Sequence, residues 1–307
     1  MIRAISILGL LLLLVLGFAK PWTTTAIVVG LSYAIAALGV SPLMRAGQIS
    51  FGHAMFACFS AYTVACLARA FPGLDVLVLI LAGVVVSTVA GMIIGLFIVR
   101  YRGIFFGMLN LALSMVLFAI LGKLYHITGG TDGLSFTRPP VLGMALERKP
   151  YEWGLLIISA LIAGGLGWML QRFYASGCGQ ALAAIKTNEN RLEYLGFSAY
   201  SILWRGYVLS ALVVGFAGAF LALIQGLVTP EIGFWLKSAE YVFIAILGGT
   251  GHVIGAFLGA LVFELVRLFS ASYFASLWQF VLGLTLVSTI FIFPAGMVGQ
   301  LTRRARQ

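Results

Sequence analysis

Apolar residues run along this chain in long, nearly continuous stretches that short polar segments separate. A helix needs about 20 residues to cross the hydrocarbon of a bilayer, with about 17 as the lower end of the range. Most of the stretches approach or exceed that length, so the pattern predicts membrane-spanning helices. The stretches are 4–19, 24–40, 54–68, 75–99, 104–122, 153–171, 205–226, 239–269 and 276–293.

The stretch 239–269 is interrupted by Gly248-Gly249-Thr250-Gly251-His252, which predicts a break between two helices. If the stretch were one span, the polar segment 172–204 and the basic C-terminal tail would face opposite sides of the membrane. Two crossings place both on the side of Arg45 and Arg100, and arginines close to span ends mark the cytoplasmic side. We therefore predict an all-α integral membrane protein with about ten crossings, including glycine-broken helices, and with both termini in the cytoplasm.

The first stretch, residues 4–19, has two interpretations. Gly17-Phe18-Ala19 resembles the small-x-small cleavage site of a signal peptide. A retained first span is favoured, because a polytopic membrane protein needs no separate signal. We predict a single transmembrane domain over residues 1–307.

The segment 172–204 is conspicuously polar for this chain, and nothing in it is apolar enough to span a bilayer. Leu182 and Ile185 lie three residues apart, and Leu192 and Leu195 repeat that spacing, which is typical of one helical face. The pattern predicts two short amphipathic helices on the membrane surface with an apolar stripe that faces a partner. The alternative is a surface connector without a partner.

Two further residues mark the limits of the second of these helices. Asn188 is a candidate N-cap, because its short side chain accepts a hydrogen bond from a backbone N–H of the first turn. Gly196 is placed to end the helix, since glycine adopts the left-handed conformation without a steric cost.

A second polar segment, residues 126–152, is predicted to form a loop on the opposite, outer side of the membrane. It contains Gly129, Gly130, Thr131 and Asp132, and glycine and aspartate are residue types that tight turns need. A purely structural turn is favoured for Asp132. The functional alternative is that this turn contacts a delivery protein or the ammonium group of a substrate.

Two glycine-bearing polar clusters, the first beginning at Gly47 and the second at Gly248, interrupt apolar stretches and are candidates for a pathway or a gate. Irregular backbone at membrane depth is tolerated only where protein buries it or where it lines a wet cavity. Close helix packing is the alternative for each glycine taken alone, and a buried, hydrogen-bonded histidine is the alternative for His53 and for His252. The candidate pathway residues, which include an interior hydrogen-bonding asparagine, are Gln48, Ser50, Gly52, His53, Asn110, Gly248, Gly249, Thr250 and Gly251.

Composition restricts the class of protein. The chain has 307 residues, of which 62% are hydrophobic and 9% charged, and its mean hydropathy is +1.08, too apolar for a soluble domain. The formal net charge of +10 does not indicate nucleic acid, because the cations lie singly or in twos and threes between apolar runs, as topology signals.

Histidines and cysteines show no metal-ligand spacing, and no Gly-x-x-x-x-Gly-Lys-Ser/Thr motif is present to cradle nucleotide phosphates. We therefore expect neither an enzyme nor a resident cofactor or metal.

An acidic residue inside an apolar stretch requires an explanation, because charge at membrane depth is costly. Glu264 lies in the predicted penultimate span, and Arg267 follows three residues later on the same helical face. An intrahelical ion pair is favoured over a proton relay.

Nine short motifs follow one another along the chain, and the motif at 128–134, Thr-Gly-Gly-Thr-Asp-Gly-Leu, is the most distinctive. They are residues 47–54, 61–62, 102–106, 128–134, 181–185, 195–196, 209–211, 216–219 and 247–251. In this order and spacing they resemble the membrane subunits of bacterial ABC importers for branched-chain amino acids, the LivM-type permeases. The resemblance covers most of the chain.

The resemblance implies a role for the polar segment, because in that family a cytoplasmic loop before the distal spans docks on the ATP-hydrolysing subunit. Glu189 and Gly196 match the acidic-to-glycine frame of that loop, whereas Leu192, Glu193 and Tyr194 stand where the family has smaller residues. After the motif at 128–134 the family often continues to Ile-Pro, which this chain lacks. The implied coupling residues are Gly179, Leu182, Ala183, Ile185, Glu189, Leu192, Leu195 and Gly196.

The resemblance also implies partners. The permease would pair with a homologous permease, two cytosolic ATP-binding subunits and an extracytoplasmic substrate-binding protein, in the lipid of the bacterial inner membrane. ATP and Mg would be bound by the partner ATPase. The expected cargo is a branched-chain amino acid, with urea or short amides as alternatives because related permeases share the frame. The competing class is an ion-coupled secondary transporter, which predicts conspicuous charges within the spans.

Overall fold

The structure, a computed structural model, describes residues 21–273, 278–292 and 296–299. The predicted span 4–19 and the basic tail lie outside these residues. The helices are α1 (Pro21–Arg45), α2 (Ala54–Ala70), α3 (Val76–Ile98), α4 (Gly103–Lys123), α5 (Tyr125–Thr128), α6 (Arg148–Ala175), α7 (Gly177–Thr187), α8 (Glu189–Tyr194), α9 (Ala199–Gln225), α10 (Trp235–Gly248), α11 (Val253–Tyr273) and α12 (Trp278–Ile292). Two short strands, β1 (Leu134–Ser135) and β2 (Leu227–Val228), and two 3₁₀ turns, Gly130–Asp132 and Pro230–Gly233, complete the described elements.

The predicted all-α membrane class is confirmed in its coarse form. Six helices among the described residues are long and apolar enough to cross a membrane, namely α1 from Thr23, α3, α4, α6, α9 and α11 to Ser270. Helix α2 is apolar but has 17 residues, at the lower end of the spanning range. The predicted break in 239–269 is present, since α10 ends at Gly248 and α11 begins at Val253.

Two helices form the centre of the bundle. Buried residues make up 83% of the apolar window of α1 and 72% of that of α9, but 22% of that of α4. Helices α2, α3 and α1 pack on α9, and α6, α10 and α11 pack on α1. Small residues allow the closest approaches, because a Cβ at Gly218 would overlap the backbone carbonyl of Ala57 in α2.

The two ends of the bundle carry different connecting segments. At the strand end, β1 pairs antiparallel with β2, with Leu134 opposite Val228 and Ser135 opposite Leu227. This pairing ties the segment after α5 to the end of α9. At the other end, the short helices α7 and α8 pack beside the C-terminus of α6 and against α9.

Helices α2 and α10 both begin inside the bundle, where their N-termini meet. The Ser238 hydroxyl in the first turn of α10 accepts a hydrogen bond from the backbone N–H of Ala54, the first residue of α2, at 2.8 Å. The Ser114 hydroxyl, near the middle of α4, donates to the carbonyl oxygen of Gly233 at 2.6 Å. The chain therefore turns within the bundle before each of these two helices.

Candidate functional site

The segment after α6 forms the two short helices that its pattern predicted. Ser176 caps α7 by accepting a hydrogen bond from the N–H of Gly179 at 3.3 Å. The predicted N-cap of α8 is confirmed, because the Asn188 side chain accepts from the N–H of Arg191 at 2.9 Å. Gly196 has a φ of +84°, which confirms its predicted left-handed conformation.

The direction in which the apolar stripe faces differs from the prediction. The exposed fractions of Leu182, Ile185 and Leu192 are 0%, 6% and 5%, so these three side chains are buried within the chain itself. Helix α7 packs on α1 and α9, and a Cβ at Gly206 of α9 would lie 2.9 Å from Leu182 Cδ1. We call Leu182, Ile185 and Leu192 the buried stripe. It anchors the segment to its own spans, and the part of these three residues in coupling stays a prediction.

Helix α7 is anchored by its backbone as well. Gly179 is buried against the end of α6, where a Cβ would overlap the carbonyl of Phe173. Ala183 is half-buried on the same helix. The role of these residues in coupling stays a prediction, although their positions show that they also hold α7 in place.

A different apolar surface is exposed at this end. The exposed fractions of Tyr194, Leu195 and Phe197 are 91%, 69% and 52%. These three residues, the exposed patch, surround the left-handed turn at Gly196. Sequence reasoning identified Leu195 but missed Phe197 and treated Tyr194 as a departure from the family. The run of three large apolar residues around one glycine was the available signal.

The segment is also tied to α4 by an ion pair. Glu189 Oε1 accepts from Arg102 Nη2 at 2.8 Å, and the Arg102 Nε lies 3.0 and 3.1 Å from the two carboxylate oxygens. Both side chains are about 30% exposed, at 29% and 31%. Arg102 also donates to the carbonyl of Val99 and precedes the first residue of α4. Glu189 thus links α8 to the turn between α3 and α4.

The first predicted pathway cluster lies beside this link. The Gln48 side chain accepts from the N–H of Gly103, the first residue of α4, at 2.8 Å. A Cβ at Gly47 would lie 3.2 Å from the Lys186 side chain of α7. Residues between Gly47 and Phe51 and the first part of α4 line an open apolar groove of about 380 Å³. The turn before α2 is therefore in contact with both the surface helix and the span.

Four of the predicted pathway residues converge within the bundle. His53 Nδ1 lies 2.5 Å from the Ser50 hydroxyl, which also accepts from the N–H of Gly52 at 3.3 Å. Gly52 packs directly on α4, because a Cβ there would overlap the backbone carbonyl of Asn110. The Asn110 side-chain oxygen accepts from the hydroxyl of Tyr207 in α9 at 2.6 Å. The predicted interior hydrogen-bonding role of Asn110 is confirmed.

The two histidines have different environments. His53 is fully buried between the rings of Phe56 and Tyr207, with centroid distances of 5.3 and 5.2 Å. This is the buried, hydrogen-bonded arrangement proposed as its alternative, except that Nε2 has no hydrogen-bond partner among the described residues. His252, by contrast, is exposed, so the buried alternative is wrong for that residue.

The second predicted pathway cluster is a site of close packing. Gly248 is buried where a Cβ would overlap the backbone of Gly255 in α11, and Gly259 packs in the same way on the carbonyl of Ile244. Gly249 has a φ of +90°, which favours glycine at the end of α10. Thr250 is half-buried and Gly251 is exposed. The packing alternative therefore describes the buried glycines of this cluster.

A second break within the bundle, besides the predicted one before α2, was missed. It precedes α10 at Pro230–Gly233, where Gly233 packs on α2 with its hypothetical Cβ 3.0 Å from Cys58. Thr229-Pro230 and Gly233 were the sequence signal for it, since proline and glycine are the strongest local interruptions of helical structure.

The turn at the strand end is confirmed as a turn. Gly129, Gly130 and Gly133 have φ values of +72°, +59° and +80°. The Thr128 hydroxyl accepts from the N–H of Gly130 at 3.2 Å, so a threonine side chain supports this turn. Thr131 and Asp132 are exposed beside this turn. Their contact with a delivery protein or a substrate stays a prediction.

Comparison with known proteins agrees with this architecture. A family model described as "Branched-chain amino acid transport system / permease component" matches residues 23–290. The high-affinity branched-chain amino acid transport system permease protein LivM of Salmonella typhimurium is 26% identical over 287 residues, which cover 85% of this chain and 67% of that protein. LivM of Escherichia coli K12 gives the same identity and coverage.

A relative with another name also matches. The autoinducer 2 import system permease protein LsrC of Klebsiella pneumoniae is 27% identical over 194 residues, covering 61% of this chain and 53% of that protein. No solved structure matches. The family model covers most of the chain and the described residues supply several apolar helices, so this multi-pass membrane protein belongs to the family of permease components of branched-chain amino acid transport systems.

Proposed function

We propose that this chain is one permease subunit of an ATP-driven importer that moves branched-chain amino acids across the bacterial inner membrane. Family membership supports the permease role, and the names of the LivM relatives support the cargo. The role of α7 and α8 in coupling is supported by their attachment to the spans. The buried stripe and the Glu189–Arg102 ion pair form this attachment.

The mechanism follows from these attachments. Closure of two partner ATPases pushes on the exposed patch and tilts α7 and α8. Helix α7 follows α6 after a single residue, Ser176, and the Glu189–Arg102 pair passes the movement to the start of α4. Because Gly52 packs on Asn110 of α4, a tilt of α4 displaces the turn before α2. The pathway opens alternately to the two sides as these helices move.

Topology is part of the proposal. The six long helices, the shorter α2, α10 and α12, and the apolar stretch 4–19 give ten crossings. With that count the termini and the α7–α8 end are cytoplasmic, together with Arg45 and Arg100, as the charge rule favours. The strand end, with the turn at 129–133, then faces the substrate-binding protein.

The partners and cofactors follow from the same proposal. A second, homologous permease completes the membrane part, and ATP and Mg are bound by the cytosolic subunits. Under this proposal, the chain itself binds no cofactor. The test is affinity purification of the chain from its native membranes, followed by identification of the copurified proteins and uptake measurements in proteoliposomes.

Uptake of leucine, isoleucine or valine that requires ATP and the binding protein is the expected result. Uptake that persists without ATP and collapses with an ionophore would instead identify an ion-coupled secondary transporter. Urea and acetamide are tested in parallel, because permeases for urea or short amides share the sequence frame of this chain. Transport of either compound in preference to leucine would overturn the proposed cargo.

A further inference from the structure

Five polar side chains of three helices form a group that the proposed coupling mechanism does not use. Lys237 Nζ in α10 lies 3.0 Å from both carboxylate oxygens of Glu240. Arg267 Nη2 in α11 lies 2.8 Å from Glu264 Oε1, which confirms the predicted intrahelical pair. The Tyr33 hydroxyl of α1 accepts from Lys237 at 3.2 Å and from Arg267 at 3.3 Å. We call these five residues the central cluster.

The central cluster lies far from both ends of the bundle. Tyr33 is at the middle of α1, and Glu264 is close to the middle of α11. Lys237 is in the first turn of α10, the helix that begins inside the bundle beside α2. Four charged groups at such a depth are costly, and buried ion pairs contribute little net stability. A functional role explains the placement better than a structural one.

The two sides of the cluster differ in exposure. The carboxylate side chains of Glu240 and Glu264 are 6% and 8% exposed, whereas those of Lys237 and Arg267 are 31% and 26% exposed. The two carboxylates of the cluster are therefore nearly inaccessible, whereas its two cations remain partly accessible.

One atom of the cluster is unpaired within the part of the chain that the structure describes. Glu264 Oε2 is buried and has no hydrogen-bond partner among the described residues, although Oε1 is bound by Arg267. An unpaired buried carboxylate oxygen calls for a donor. Gly30 of α1 faces this side chain, and a Cβ there would lie 3.7 Å from Glu264 Cγ, at ordinary contact distance.

Two further aromatic rings pack on Tyr33 of the central cluster. Tyr33 stacks edge-on with Tyr241 and in a tilted arrangement with Phe263, at centroid distances of 5.8 Å in both cases. Apolar walls with a few convergent polar groups are the usual composition of a small-molecule site.

We propose that the central cluster binds the zwitterionic head of a small apolar amino acid during its passage, an inference that rests on the proposed function. Lys237 and Arg267 take the carboxylate, Glu264 Oε2 accepts from the ammonium group, and the aromatic rings contact the aliphatic side chain. Binding requires a rearrangement of the helices that makes Glu264, whose side chain is 8% exposed, accessible to the ligand.

Charge balance determines which ligands fit. The cluster holds two cations and two carboxylates, and a zwitterion adds one charge of each sign. A ligand with an ammonium group alone, or with a carboxylate alone, would leave an uncompensated charge in a low-dielectric site. The site therefore selects zwitterions over the corresponding amine or acid.

The experiment is photo-crosslinking of the purified membrane complex with a diazirine analogue of leucine. The binding protein is omitted, so that selectivity belongs to the membrane subunits. Labelled peptides are expected to contain Tyr33, Tyr241 or Phe263. Excess leucine is expected to reduce labelling at least tenfold, whereas 3-methylbutylamine and 4-methylpentanoate leave it unchanged. Labelling confined to other helices, or equal competition by the amine, would overturn the inference.

Variants of the cluster residues provide a second, independent test of the proposed site. Glu264→Gln removes the negative charge that would pair with the ammonium group and is expected to reduce both labelling and ATP-driven uptake at least tenfold, while ATP hydrolysis stimulated by loaded binding protein persists. Tyr33→Phe retains the ring, and a severalfold loss of labelling is expected; it decides the question if Glu264→Gln does not assemble. Glu152→Gln, in the Arg148–Glu152 pair near the start of α6, is the matched control and should change neither quantity.

The outcomes separate this inference from the proposed function. If the wild-type complex imports no branched-chain amino acid with ATP, the proposed function fails, and the inference that rests on it fails as well. If the wild type imports leucine and both Glu264→Gln and Tyr33→Phe do so at the same rate, the proposed function stands and the inference fails.

Discussion

The buried stripe and the exposed patch belong to one short segment, yet they have opposite environments. Leu182, with an exposed fraction of 0%, packs on α9, while Leu195 is 69% exposed. Both residues satisfy the same amphipathic spacing in the sequence. The difference teaches that an apolar helical face shows that a helix has a neighbour, but not whether the neighbour is its own chain or another protein. Variants on the two sides can test this assignment.

The largest effect is expected from Leu182→Ala, because truncation leaves a cavity between α7 and α9. The free energy of unfolding should fall by about 2–5 kcal/mol. Leu195→Ala is the matched control on the exposed side, where a change within about 0.5 kcal/mol is expected. Denaturation of the purified protein in detergent measures both, and equal losses would contradict the division into two faces.

A large effect on coupling is expected from Gly196→Pro. Gly196 has a φ of +84°, which proline excludes, and its N–H donates to the Glu193 carbonyl at 2.9 Å. The change should displace the exposed patch and abolish stimulation of the ATPase by loaded binding protein, while the protein still inserts in the membrane. Gly196→Asn serves as the control, since asparagine tolerates the left-handed conformation. Wild-type stimulation in the proline variant would argue against docking at this turn.

A smaller effect is expected from Leu195→Asp, which leaves the backbone intact. A charge in the exposed patch should weaken docking of the ATPase by about 1–2 kcal/mol, or roughly tenfold in affinity. Copurification of the ATPase at graded concentrations measures this loss, and the unfolding midpoint should not change. A charge in place of the buried Leu192 is expected to destabilise the fold instead, because that side chain is 5% exposed. Unaltered ATPase affinity in Leu195→Asp would remove the exposed patch from the interface.

The smallest effect on stability is expected from Glu189→Gln. The Glu189–Arg102 pair is about 30% exposed, so its loss should cost about 0.2–1 kcal/mol and less at high salt. Uptake should fall more than stability, since the pair connects α8 with α4. Glu193→Gln, an exposed neighbour, is the control for removing a charge. If the two variants behave alike in uptake assays, the ion pair has no part in transmission.

The two glycine-bearing clusters show how far sequence reasoning reached. Both 47–53 and 248–251 interrupt apolar stretches, and both breaks are present in the structure. In the first cluster Ser50, Gly52 and His53 converge with Asn110, 57 residues after His53. In the second, Gly248 packs on Gly255 of the next helix. The glycines were equally visible in the sequence, but their neighbours were not.

The sequence by itself determined the features whose causes are local. Long apolar stretches predicted the spans, Asn188 predicted a cap and Gly196 predicted a left-handed turn, because hydropathy, side-chain capping and backbone sterics act within a few residues. The tertiary structure decided which face of α7 is buried, which partner Glu189 has, and that Tyr33 joins two ion pairs. These contacts join residues tens to hundreds of positions apart, and packing, rather than spacing along the chain, selects them.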